Sequence, residues 1–89
     1  MPTISSFFGI IIYLYFFDDE RHGLPHIHAK YQGQEAVFSI TDAAMIVGAI
    51  PIAKARLVQA WIEIHREELL ADWELAVNGL PPFPIDPLH

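Results

Sequence analysis

The sequence has no cysteine, which excludes disulfides and thiolate metal sites. It is also poor in basic residues. Arg21, Lys30, Lys54, Arg56 and Arg66 are the only five, they form no cluster, and they face eleven acids for a formal charge of −6. Nucleic-acid binding leaves a basic footprint, so a polyanionic partner is not expected. There are three serines, Ser5, Ser6 and Ser39, and none has an evident base beside it. No glycine-rich phosphate loop and no nucleophile elbow occurs, which argues against phosphoryl transfer and serine hydrolysis. The apolar run at 7–17 is too short for a membrane helix, and no charged leader with a cleavage site precedes it. The expectation is a cytoplasmic protein with no membrane contact and no assigned reaction.

What the chain does have is apolar surface. Hydrophobic residues make up 53% of its 89 positions, and the mean hydropathy is +0.31. A chain of this length forms one domain, here 1–89, and buries only roughly 60–65% of its unfolded surface. Apolar surface in excess of a small core is covered by a second copy, so a homodimer is expected.

The periodicities predict an α+β fold: a small, mainly antiparallel sheet of about four strands within 9–50, one long helix over about 52–78, and a proline-rich tail at 79–89. Residues 1–6 read as a lead-in that Pro2 keeps irregular. Residues 9–17 are β-branched and aromatic on both faces, the composition of a strand. Residues 26–32 alternate, with Ile27, Ala29 and Tyr31 toward the core and His26, His28, Lys30 and Gln32 away from it. Gln32 and Gly33 form a turn into 35–40, where Ala36, Phe38 and Ile40 face inward. A turn at 41–44 and a short strand at 45–50 follow. On the helix, Leu57, Val58, Trp61, Ile62, Ile64, Leu69, Trp73 and Ala76 make the apolar face, and Gly79 is its left-handed stop. One helix covers one side of a sheet, so the other side, with Tyr13 and Tyr15, is left for the dimer.

Two constellations could carry chemistry. The first is His22-x-x-x-His26-x-His28. Residues i and i+2 of a strand share a face, so His26 and His28 can converge on one ion, and His22 in the preceding loop can add a third nitrogen. Pro25 stiffens that approach. Three imidazoles without thiolate suit a divalent transition metal such as Zn, and leave a position open for water or substrate. Two other roles stay open: solvent-facing or interface histidines, and one imidazole acting as a general acid or base. The second constellation is His65, Glu68 and Asp72, which fall on the apolar helix face, where a purely packing helix would carry none of them. They need partners: each other, the sheet backbone, an ion or a second subunit. If the helix covers the Ile27 face, His26 and His28 point away from His65, and the groups meet only at a sheet edge or across subunits.

Beyond these motifs, Met1-Pro-Thr-Ile-Ser5, Gly9-Ile-Ile-Ile-Tyr-Leu-Tyr15, His22-x-x-Pro25-His26-x-His28-Ala29, Gly48-x-x-Pro51, Trp61-x-x-x-His65-x-x-Glu68-Leu69-x-x-x-Trp73 and Ile85-x-Pro87-Leu88 together resemble a bacterial family known as domain of unknown function 4160. The resemblance spans essentially the whole chain. Leu24 stands where the family usually has the first of two prolines, and the loop at 18–21 is a residue or two longer. The resemblance implies a small protein with a partner encoded nearby, sometimes in toxin–antitoxin-like pairs, and supplies no activity. Two functions therefore compete: a divalent-metal or small-ligand site on His22, His26 and His28, and a non-catalytic protein-interaction module.

Overall fold

The computed structural model describes residues 3–14 and 24–89. Within them the order is β1 (Thr3–Phe7), β2 (Ile10–Tyr13), β3 (His26–Tyr31), β4 (Gln34–Ser39), β5 (Met45–Gly48) and α1 (Ile52–Val77). The strands form one antiparallel sheet in the spatial order β1-β2-β3-β4-β5, so each pairs with its sequence neighbour. The α+β fold with one long C-terminal helix is as expected, with five strands rather than four.

The additional strand is β1. Pro2 does not keep residues 3–7 irregular as expected, and Gly9, expected to begin a strand, closes a turn. Phe7 pairs with Ile10 across Phe8 (φ 51°) and Gly9 (φ 79°). Two consecutive left-handed residues make the tight hairpin turn whose twist matches that of the flanking strands. The β3–β4 hairpin repeats the device: Tyr31 pairs with Gln34 across Gln32 (φ 47°) and Gly33 (φ 81°). That register puts Ile27, Ala29, Ala36 and Phe38 fully inside, leaves Tyr31 half-buried and Lys30 exposed, as the alternation predicts. The expected strand at 9–17 is described as β2 and Leu14; Tyr15 and the two residues after it lie outside the described residues.

Ile10, Ile12, Leu14, Ile27, Phe38 and Ile40 build the core with Val58, Trp61, Ile62 and Leu69 of α1. Pro51 precedes the first helical residue, and its carbonyl accepts the Ala55 N–H at 2.9 Å. At the other end Gly79 (φ 78°) donates to the Ala76 carbonyl and Leu80 to that of Leu75, the paired bonds of a Schellman stop. Ile64, assigned to the apolar face, is instead 65% exposed. At 100° per residue it falls well to one side of the buried stripe of Val58, Trp61, Ile62, Leu69 and Trp73, so its exposure follows from its own position on the helix. The helix also breaks at the next residue, where His65 has φ −110° and ψ 22°. α1 contains neither proline nor glycine to announce it. After α1, the tail is pinned. Ile85 donates to the Ile4 carbonyl at 2.8 Å, the Trp61 indole donates to the Asp86 carbonyl at 2.8 Å, and the Ile85 side chain is buried.

Candidate functional site

β3 presents the first pair of histidines. His26 and His28 lie on one side of the strand with ring centroids 5.3 Å apart, as spacing i and i+2 requires. The His26 Nδ1 lies 2.9 Å from the Leu24 carbonyl. A carbonyl only accepts, so Nδ1 carries the proton and, in the neutral ring, Nε2 carries the lone pair. The His28 Nδ1 donates to the Glu35 carboxylate at 3.1 Å, which sets the same tautomer. Burial lowers the His28 pKa, an effect larger than the opposing bond to Glu35, with the neighbouring His26 lowering it further. A neutral imidazole is the form that ligates.

Glu35 is a partner that its residue type alone does not mark, although the hairpin signals it. The two-residue turn at Gln32 and Gly33 places Glu35 opposite Lys30, on the same face as His28 and diagonal to it. Trp73 is the second residue that sequence reasoning left to packing alone. Its ring centroid lies 4.9 Å from that of His26. His26 is therefore buried and touches the helix, contrary to the expectation that it points away from α1. His26 begins its strand, and Trp73 belongs to the half of α1 that lies beyond the break at His65, so the two meet at the sheet's end. His22 lies outside the described residues. Among those residues no group of three or more His, Cys, Asp or Glu side chains stands together as an ion would require.

The second constellation divides. The His65 Nδ1 is paired with the Glu68 carboxylate, its ring lies 5.6 Å from that of Trp61, and its side chain is 14% exposed. The expectation of a mostly buried ring with a named partner is met. His65 and Ile64 border two surface cavities, one of about 410 Å³ along the helix with Glu63, Glu67 and Glu68, the other of about 250 Å³ beneath residues 86–89. Arg66, next to the break, donates from Nε to the Ile40 carbonyl at 2.9 Å and from a terminal nitrogen to Glu63 at 2.8 Å. Asp72 does not join this group through a hydrogen bond. It is 3% exposed, and its Oδ1 accepts the Phe83 N–H at 2.9 Å. Its Oδ2 is buried with no hydrogen-bond partner among the described residues. Burial raises the Asp72 pKa, partly offset by the Phe83 N–H and reinforced by the negative charge of Glu68. Asp72 is thus a clamp for the tail.

No helix among the described residues is long and apolar enough to cross a membrane. No curated protein and no solved structure matches the chain. A family model described as domain of unknown function (DUF4160) matches residues 9–74. That span contains His22, His26, His28, Glu35, His65, Glu68, Asp72 and both tryptophans, and it ends before the tail that Asp72 holds. Because the match takes in well over half of the chain, this protein belongs to the DUF4160 family.

Proposed function

We propose that the protein binds a divalent transition metal, or a small ligand in its place, through His26 and His28 of β3 together with His22 of the preceding loop. The observation that carries this reading is the pair of committed Nδ1 atoms. Leu24 and Glu35 accept their protons and orient both rings, the arrangement of outer partners that usually accompanies metal-ligating histidine. A depressed pKa keeps His28 neutral at pH 7, where protons would otherwise compete with the ion. Three imidazoles leave room for water or an exogenous ligand on a zinc-like ion. No catalytic step is assigned to it.

The test is titration of the chain, purified without a nickel column, with Zn²⁺ under calorimetry and elemental analysis. The expected result is one equivalent per chain. It should be lost in His26→Ala and His28→Ala and weakened in His22→Ala. A folded chain that takes up no metal in any of these measurements refutes the reading.

A non-catalytic interaction module is the second reading, and a separate observation favours it. All four residues of the edge strand β5 are exposed, and Met45, Ile46 and Val47 form an apolar edge without charge or proline. Unprotected edges of this kind template pairing with another chain. A small protein encoded nearby would be the natural partner, and its binding would survive His28→Ala and fail in Val47→Lys.

A further inference from the structure

We propose that the sheet face turned away from α1 packs against the same face of a second copy of this chain. The register defines that face. Ile11, Lys30 and Glu35 lie in one cross-strand row, and Tyr13, His28, Val37 and Val47 in the next. α1 and its core residues cover the opposite side, and on this side Trp73 reaches His26 at the start of β3. Ile11 is 36% and Val47 58% exposed, Lys30 and Glu35 are exposed, and Tyr13 and Val37 are half-buried. β-branched and aromatic side chains set in open rows on a pleated surface are what one sheet offers another, at the usual spacing of about 10 Å.

Charge selects the occupant. The chain carries −6, yet among the described residues this face carries one cation and one anion, Lys30 and Glu35, directly opposite each other across β3 and β4; Asp18, Asp19, Glu20 and Arg21 lie outside the described residues. Glu63, Glu67, Glu68, Asp72 and Glu74 are all on α1, Asp42 is in the turn before β5, and Asp86 is in the tail. A basic partner would be drawn to the helix side, not here. Two acidic copies can approach through this face because, among the described residues, no excess of like charge meets there. A two-fold contact is isologous, so an axis that sets Lys30 of one copy against Glu35 of the other forms the reciprocal pair as well.

This face shares His28 and Glu35 with the proposed metal site, and the experiment keeps the two readings apart because it is run with chelator present and its readout is assembly. Sedimentation velocity of the full chain should show a dimer at high micromolar concentration. Lys30→Glu gives a face of two acids, and Glu35→Lys a face of two bases; each alone should weaken self-association by about tenfold or more. Mixing the two variants should restore association as a heterodimer, read by native mass spectrometry with one variant ¹⁵N-labelled. Each single variant loses the opposite-charge pair within its own chain, so recovery on mixing reports only contact between copies. Val47→Asp, at a position free of that pair, should also give a monomer, with circular dichroism confirming the fold of all three. A parent chain that is monomeric throughout overturns the proposal, as does a dimer that all three substitutions leave intact or a mixture that fails to associate.

Discussion

Replacing Trp61 with phenylalanine should loosen the tail and the core together. Trp61 is fully buried, stands 5.4 Å from the Phe7 ring, and holds the tail through its indole N–H to the Asp86 carbonyl. Phenylalanine keeps one ring and most of the Phe7 contact. The lost hydrogen bond is worth about 0.5–1.5 kcal/mol net, toward the lower end because the freed Asp86 carbonyl belongs to an exposed residue and can bind water. The missing ring atoms remove about 1 kcal/mol of apolar burial. A residual void of roughly 30–40 Å³ at about 24 cal/mol per Å³ costs about 1 kcal/mol more. The expected loss is about 2–3 kcal/mol, a large share of the roughly 4–13 kcal/mol that a chain of this length commands. Urea unfolding followed by far-UV circular dichroism measures the total. Native-state hydrogen exchange locates it: the Ile85 amide, bonded to Ile4, should lose more protection than the Phe38 amide of the central ladder. A loss under about 0.5 kcal/mol, or equal deprotection at both amides, would refute the claim that this indole couples tail and core.

Gly48→Ala should cost about 2–3 kcal/mol in the same unfolding assay, because Gly48 has φ 89° and an added Cβ would run into the Glu35 carbonyl. Alanine scanning that finds Gly48 neutral would contradict the β4–β5 register. Asp72 gives a pH signature. Its pKa is raised in the folded chain, so its contribution to stability is fully present below the unfolded value and declines as pH rises through the folded one. Asp72→Asn keeps an oxygen for the Phe83 N–H and cannot ionise. The variant should therefore gain on the parent in unfolding free energy between pH 3 and pH 7, and a constant difference across that range would count against a desolvated carboxylate.

Much of the local architecture was readable from residue order. Alternation at 26–31, a glycine-containing turn of two residues and inward Ala36, Phe38 and Ile40 specify the β3–β4 hairpin completely, because a two-residue turn sets the register and the register sets every facing. The same logic places Glu35 beside His28. Pro51 and Gly79 bracket the helix for equally local reasons: one suits a helix start and the other tolerates the left-handed residue after its end. The strand β1 was legible too, once Phe8 and Gly9 are taken as a turn like Gln32 and Gly33. Its disguise was an unbroken apolar run in which a bulky Phe8 occupies a left-handed position.

What residue order could not provide is contact between distant segments. The break of α1 at His65 has no proline or glycine to mark it, and it precedes the half of the helix that brings Trp73 to His26. The separation of Asp72 from His65 has the same origin. On a helical wheel they share a stripe, yet one carboxylate turns to a backbone N–H in a tail eleven residues further on, while His65 keeps Glu68. Periodicity fixes which side of an element is buried, since that depends on the element's own geometry. Which partner satisfies a buried polar group depends on chain segments far apart in sequence, and only packing in three dimensions decides it.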